Sequence, residues 1–82
     1  MLKLNQLGKD SIGIIKKIEC NDNIKIRLMD MGFHKNEEIR CILISPSKSI
    51  KAYLIKNTLI SLRDNDAQNI WVEVKDENSF NR

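Results

Sequence analysis

Apolar residues recur at helical spacing in one short segment of the chain and alternate with polar residues over most of its C-terminal half. Ile24, Leu28 and Met31 have the i, i+4, i+7 spacing that places three side chains on one side of a helix. The residues at 21–23 are Asn-Asp-Asn, and both residue types are common helix N-caps. The pattern therefore predicts a helix over residues 22–31, with Leu28 buried.

The tripeptide Met31-Gly32-Phe33 predicts where this helix ends. Glycine often follows the last helical residue in the left-handed conformation, because it has no Cβ to clash there. In that motif the next residue packs back onto the preceding turn. We therefore expect a positive φ at Gly32 and contact of Phe33 with Leu28 or Met29.

Five stretches have the alternation and the β-branched residues typical of strands. They lie at residues 11–19, 37–44, 49–55, 58–63 and 70–74. The alternation places four sets of side chains on inward faces: Ile12, Ile14 and Ile18; Ile39, Cys41 and Leu43; Ile50, Ala52 and Leu54; and Ile70, Val72 and Val74. Lys56-Asn57 suits a two-residue hairpin turn, since Asn tolerates positive φ. Residues 64–67 suit a capped single helical turn.

The predicted elements are five short strands with one helix between the first and the second. A sheet this short exposes too much apolar surface unless it curls on itself. The sequence therefore predicts a mainly β fold, a small and partly open five-stranded SH3-like barrel, with the helix capping or flanking one open end. We expect a single domain over residues 1–75 and a frayed polar tail over residues 76–82.

Charge and hydropathy place limits on the class of protein. No apolar window approaches the roughly 18 residues of a membrane span, and the first residues have no signal-peptide core, so a cytoplasmic protein is expected. Residues 41–63 carry four basic residues and no acidic one: Lys48, Lys51, Lys56 and Arg63. A nucleic-acid-binding barrel is one explanation, and lysines that keep a small sheet soluble are another. The net charge of only +3 favours the second.

Candidate chemical groups are few. The sequence has no glycine-rich phosphate loop and no suggested pairing of a nucleophile with a base, so it predicts a non-enzymatic protein that requires no cofactor. His34, Cys20 and Cys41, with Glu37-Glu38 nearby, are the material for a weak transition-metal site. The alternative, that His34 is an exposed loop residue, is favoured because no second His or Cys stands at ligand spacing.

The aromatic residues Tyr53 and Trp71 fall opposite the faces assigned to the core. Aromatic side chains on an outer strand face, among basic residues, could stack nucleic-acid bases. Two such residues are few for a stacking surface. The alternative is that both pack against the helix or against a neighbouring chain.

The helix carries an apolar pair opposite its predicted core side. Ile26 and Met29 stand about 60° apart around the axis, flanked by Lys25 and Asp30. An apolar pair with a charged rim suggests a protein-contact surface. The alternative is that both sides of the helix are buried, and so short a helix does not decide between the two.

Two long segments resemble the FeoA family of ferrous-iron transport accessory proteins. They are RLMDMGFHKNEEIRCI and SPSKSIKAYLIKNTLISLRDNDAQNIWVEV. The matching motif positions are Arg27, Leu28, Met31, Gly32, Pro46, Leu62-Arg63 and Ile70-Trp71-Val72. The resemblance covers about residues 4–74. It departs from the family where Asn36-Glu37 replaces the usual Pro-Gly and where Ser47-Lys48-Ser49 replaces a frequent Gly-Asp-Pro.

The resemblance implies an SH3-like barrel and a cytosolic partner of FeoB, the membrane ferrous-iron transporter that carries a GTP-hydrolysing domain. Related domains in metal-dependent regulators of the diphtheria-toxin-repressor type keep metal binding open as an alternative function. The residues expected to contact the partner are Lys25, Ile26, Met29 and Asp30, with Arg27 orienting the helix. Leu28, Met31, Gly32 and Phe33 would build the platform beneath them. A homodimer through a strand edge also stays open.

Overall fold

The fold is a single antiparallel sheet with one helix inserted early in the chain. The computed structural model describes residues 1–75 of the 82. The elements are β1 (Leu2–Lys3), a 3-10 turn (Leu4–Gln6), β2 (Ile12–Ile18), α1 (Asp22–Asp30), β3 (Glu38–Ile44), β4 (Ile50–Ile55), β5 (Thr58–Arg63), α2 (Asp64–Ala67) and β6 (Ile70–Val74). The strand order is β1-β6-β2-β3-β4-β5.

The five predicted strands are all present, and a sixth, two-residue strand was not predicted. This strand, β1, pairs with β6 through Leu2 and Val72. It leads into the 3-10 turn, where Leu4 is fully buried. The predicted tail at 76–82 lies outside the residues that the structure describes. Within residues 1–75, neither helix has the length and apolar character needed to cross a bilayer.

Helix α1 begins and ends as its sequence predicts, apart from one residue. The side chain of Asn21 accepts a hydrogen bond from the backbone N–H of Ile24 at 3.0 Å. The helix ends at Asp30 rather than at residue 31. Gly32 has φ 113°, and its N–H and that of Phe33 return to the carbonyls of Met29 and Leu28, at 3.0 and 3.1 Å. This is the Schellman pattern, so the predicted stop signal is confirmed.

The core of the domain lies on the inner face of the curved sheet, beneath α1. Leu28 is fully buried, and Ile24 and Met31 are partly buried against the core, which confirms the predicted stripe. The fully buried large side chains are Leu4, Leu7, Ile15, Leu28, Phe33, Ile39, Tyr53, Ile55, Ile70 and Val72. Most of these residues lie on strands of the sheet, and α1 contributes one fully buried residue, Leu28, to the core.

The inward face predicted for β4 is wrong for Ile50 and Leu54, although Ala52 is buried as predicted. Tyr53 and Ile55 point into the core, whereas Ile50 is exposed and Leu54 is only partly buried. Lys51 shares the inward face, which is why alternation misled: a lysine read as outward lies almost fully buried. Its ammonium donates to the backbone carbonyl of Asn5, so the charge is solvated by protein atoms at the end of the core.

A register shift explains one of the remaining errors. The pairing of β3 with β4 shifts between Cys41 and Leu43, so Cys41 is buried as predicted but Leu43 is 55% exposed. In β2, Ile15 is buried and Ile14 is only partly so. The shift in this strand lies after both residues, between Ile15 and Lys17, and does not account for this difference. Val74, at the end of β6, is exposed. An extra residue in one strand moves the following side chains to the other face.

Both predicted turns after β4 are present. Lys56 and Asn57 have φ of 50° and 64°, and Ile55 pairs with Thr58, so they form the two-residue hairpin turn. Asp64–Ala67 is a single helical turn. It has no side-chain cap, because its N-cap position is Arg63 and Asp64 is already inside the helix.

Candidate functional site

The outer side of α1 is open to solvent among the described residues. Ile26 is 59% exposed and Met29 is 38% exposed. Lys25 and Asp30 are exposed as well. The alternative that α1 is buried on both sides is therefore wrong for residues 1–75, and the four residues predicted to contact a partner are accessible.

A groove runs beside α1, between this helix and β2. Its volume is about 260 Å³. The lining residues are Ile15, Lys16, Lys17, Ile18, Lys25, Met29, Phe33, His34 and Lys35. Lys25 and Met29, one helical turn apart, form the helix wall, whereas Ile26 lies outside the groove. We name these nine lining residues the α1 groove.

The walls of the α1 groove are joined by backbone hydrogen bonds. The N–H of Asn36 donates to the carbonyl of Ile15 at 2.7 Å, and the N–H of Ile15 donates to the carbonyl of Glu37 at 2.9 Å. Asn36 has φ 74°, a conformation that Asn tolerates better than most residues. The loop after α1 is therefore held against β2, and the groove is part of the folded scaffold.

Four lysines from three segments give the groove a positive rim. Lys16 lies 3.4 Å from a carboxylate oxygen of Glu73, and Lys17 lies 3.1 Å from one of Glu19. Lys25 and Lys35, in contrast, form no ion pair with a carboxylate of residues 1–75. The positive charge is thus least compensated at Lys25 on α1 and at Lys35 in the loop that follows it.

The sequence interpretation missed β2 and the loop as parts of this surface. Lys16-Lys17 interrupts an otherwise apolar strand, and Lys35 follows His34 directly after the helix stop signal. Both features were visible in the sequence. Nothing in local spacing shows that β2 lies alongside α1, so their convergence could not be predicted.

Arg27 lies on a different side of α1. Its guanidinium Nη2 is 3.2 Å from Oδ1 of Asp66 in α2, so the two side chains form both a hydrogen bond and an ion pair. The contact ties the middle of α1 to the short helix between β5 and β6. This ion pair can help to orient α1, and the role of Arg27 in partner contact stays a prediction.

The residues suggested as a weak metal site are not brought together. Cys41 is fully buried on β3, and Cys20 and His34 are partly buried elsewhere. Within residues 1–75, no group of three or more His, Cys, Asp or Glu side chains is arranged to hold a metal ion. Burial also raises the pKa of the Cys41 thiol, which favours the neutral form over the thiolate that metals bind.

The suggested base-stacking surface does not form either. Tyr53, expected on an outer face, is fully buried, and its hydroxyl donates to the carbonyl of Leu4 at 3.4 Å. Trp71 does face outward, but its Nε1 donates to Glu19 at 3.0 Å and Lys3 lies 5.7 Å from the ring centre. The two aromatic residues therefore share no exposed face.

Fewer basic residues of the segment 41–63 are free to bind nucleic acid than its sequence suggests. Lys51 is almost fully buried and lies 3.6 Å from Asp64. Lys56 pairs with Glu37 at 3.1 Å. Two of its four basic residues thus have partners within the fold, which weakens the nucleic-acid alternative.

Solved structures with the same fold come from FeoA proteins. An iron(II) transport protein A from Clostridium thermocellum is 33% identical, with a TM-score of 0.85 over 89% of this chain and 45% of that chain. An FeoA-like protein from Clostridium acetobutylicum is 28% identical, with a TM-score of 0.86 over 93% of this chain and 88% of that chain. The present chain thus spans under half of the first relative and most of the second.

A third structure places the fold in the SH3 class. It is FeoA from Stenotrophomonas maltophilia, complexed with zinc and described as a procaryotic SH3 domain protein. It is 25% identical, with a TM-score of 0.78 over 89% of this chain and 91% of that chain. The SH3-like fold predicted from the sequence is therefore confirmed.

The family assignment rests on the sequence as well as on the fold. Comparison with curated proteins gives no match. The model of the FeoA domain family, in contrast, matches residues 2–74, nearly all of the chain. The chain therefore belongs to the FeoA domain family.

Proposed function

We propose that this protein is a cytoplasmic accessory module that binds the cytoplasmic part of an FeoB-type ferrous-iron transporter through the outer side of α1. One observation carries the proposal: Ile26 and Met29 are exposed on a helix whose opposite side is anchored in the core by Leu28. Exposed apolar pairs with a charged rim are typical of protein contacts. Family membership supports the choice of partner.

The helix is built to present this surface rigidly. The Asn21 cap holds its first turn, Gly32 closes its last turn, and Arg27 ties its middle to α2. A surface that is ordered before binding loses less conformational entropy in the complex. Rigid presentation therefore favours affinity without requiring α1 to fold on the partner.

The proposed mechanism is a shift in the conformational equilibrium of the transporter's cytoplasmic part. A bound module changes such an equilibrium only if its affinity differs between the two conformations. A partner that hydrolyses GTP has nucleotide-dependent conformations, so the affinity of the module is expected to depend on the nucleotide state. Activation and inhibition differ only in which state is bound more tightly.

A pull-down from a membrane extract tests the proposal. The tagged protein is incubated with extract containing the transporter, in the presence of a non-hydrolysable GTP analogue, of GDP, or of no nucleotide. We expect recovery of the transporter, in amounts that differ between nucleotide states. Recovery of no transporter under any of the three conditions would contradict the proposed partner.

The proposed function requires no bound metal. The S. maltophilia relative was complexed with zinc, whereas residues 1–75 of this chain contain no cluster of three candidate ligands. Any transition-metal binding is therefore expected to be weak. Isothermal titration with Zn²⁺ and with Fe²⁺ measures it directly, and a stoichiometric, tight site would show that metal sensing belongs to the function.

A further inference from the structure

The α1 groove has the size of a side-chain pocket rather than of a small-molecule site. Its volume of about 260 Å³ lies below the roughly 300–1,000 Å³ of typical ligand sites. The accessible apolar part of its lining comes from Ile18 and Met29, and the fully buried Ile15 and Phe33 lie beneath them. This space accommodates one large apolar side chain that enters between α1 and β2.

The positively charged rim of the groove favours a binding partner with acidic groups next to the apolar side chain that enters it. Lys25 and Lys35 stand on separate segments and have no carboxylate partner within residues 1–75, while Lys16 and Lys17 add charge along β2. Complementary charges around an apolar centre speed association and exclude partners of the wrong sign. In a peptide with carboxylates on both sides of an apolar residue, the apolar side chain would contact the apolar lining. The carboxylates would pair with the lysines of the rim.

The geometry favours a peptide segment over an anionic lipid surface. A bilayer is entered by apolar side chains that project from the protein, but here the apolar lining is recessed. Ile26, the most exposed apolar residue of α1, lies outside the groove. A free phosphate group could pair with the lysines, but it is disfavoured because it would not cover the apolar surface of Ile18 and Met29.

We propose that the α1 groove binds an acidic segment with one large apolar anchor, and, resting on the proposed function, that this segment belongs to the cytoplasmic part of the transporter. The anchor side chain enters between Met29 and Ile18. Carboxylates of the segment lie against Lys25 and Lys35. The exposed pair Ile26 and Met29 then forms the adjoining part of one continuous contact surface, with Met29 shared by both.

The test uses charge reversal with a matched control. Lys25→Glu/Lys35→Glu alters the rim, and Lys9→Glu/Lys48→Glu makes the same change in net charge at exposed lysines outside the groove. Binding is measured to the transporter's cytoplasmic domain and to a fluorescent Glu-rich peptide with a central Leu. Thermal unfolding shows whether each variant is folded.

We expect the groove variant to lose about tenfold or more in affinity for both probes, and the control to stay within about threefold of the parent. A Lys-rich version of the peptide should bind the groove variant better than it binds the parent. These results together would support the inference, because a general charge effect would move both variants equally.

Three outcomes overturn the inference. The groove variant could bind the transporter domain as well as the control does, which would leave the proposed partner intact and place the contact elsewhere. The parent could bind vesicles rich in anionic lipid but neither the peptide nor the domain. The parent could bind the peptide with no preference for a central Leu over Gly. Failure of the parent to bind the transporter domain while it binds the peptide would instead contradict the proposed function alone.

Discussion

The guanidinium of Arg27 lies 3.2 Å from the carboxylate of Asp66, and this contact joins two helices that are separated in the chain by three strands, β3, β4 and β5. Arg27 belongs to the Arg-Leu motif on which the family resemblance was based. Leu28, its neighbour, anchors α1 in the core. The two consecutive motif residues thus set the position of the helix, one through burial and one through a surface ion pair.

Removing this exposed ion pair should change the free energy of unfolding only slightly. Arg27 is 59% exposed at its side chain, and exposed ion pairs contribute about 0–1 kcal/mol. We expect Arg27→Ala and Asp66→Ala each to lower the free energy of unfolding by at most about 1 kcal/mol. A double-mutant cycle on denaturant unfolding measures the pair. Losses of several kcal/mol would mean that the contact supports the fold itself.

Replacing Gly32 should destabilise the domain through the backbone alone. Its φ of 113° is unfavourable for L side chains, yet a Cβ there would meet its nearest neighbour, Ile55, only at 4.0 Å. We expect Gly32→Ala to cost about 1 kcal/mol or more in the free energy of unfolding. Gly8→Ala is the control, since Gly8 has no positive φ. Equal denaturant midpoints for the two variants would show that the positive φ of Gly32 does not make alanine costly at the end of α1.

Truncating Leu28 should cost far more than truncating an exposed leucine. Leu28 is fully buried, and Leu59 is 56% exposed. We expect Leu28→Ala to lower the free energy of unfolding by about 2–5 kcal/mol, and Leu59→Ala by about 0.5 kcal/mol or less. Thermal and denaturant unfolding of both variants provide the comparison. Similar melting of the two would mean that α1 is packed through another side.

Truncating the exposed pair on α1 should weaken binding without unfolding the protein. We expect Ile26→Ala/Met29→Ala to keep the parental melting midpoint and to lose roughly tenfold in affinity for the transporter's cytoplasmic domain, about 1.4 kcal/mol. Leu43→Ala/Leu59→Ala removes two exposed apolar residues of the sheet and serves as the control. If the control loses affinity and the α1 variant does not, the outer sheet face is the contact.

Tyr53 should make the domain less stable in alkali. Burial raises the pKa of its hydroxyl well above the ordinary value of 10.0. The unfolded chain therefore releases this proton first, so stability is intact below about pH 10 and falls as the pH rises above it. We expect Tyr53→Phe to flatten that alkaline decline, at the cost of the hydrogen bond to Leu4.

Tyr53 is the only tyrosine of the chain, so the measurement is direct. Denaturant midpoints between about pH 8 and pH 11 give the stability curve around the ordinary tyrosine pKa, and phenolate absorbance reports ionisation in the folded state. The buried thiol of Cys41 contributes with the same sign, because burial raises its pKa too. Identical alkaline slopes for the parent and Tyr53→Phe would show that another group titrates.

The ends of α1 and the turn of the hairpin could be predicted because each depends on residues close in sequence. Asn21 caps a backbone N–H three residues away, and Gly32 closes bonds to carbonyls of the preceding turn. Lys56 and Asn57 adopt positive φ within a turn that involves only their neighbours. Side-chain hydrogen bonding and backbone sterics act at this range, so local pattern alone determined these features.

The strand faces and the candidate site were decided by the tertiary structure. The shift after Cys41 turns Leu43 outward, and no local signal marks it, since it depends on how β3 pairs with β4. Lys51 lies inside because Asn5, far away in sequence, offers its carbonyl to the ammonium. The α1 groove likewise exists only because β2 and the loop after α1 meet through backbone hydrogen bonds. Sequence by itself determined the ends of α1 and the five longer strands, because these depend on local pattern. Only the tertiary structure decided that the outer side of α1 is exposed and which lysines share a surface with it.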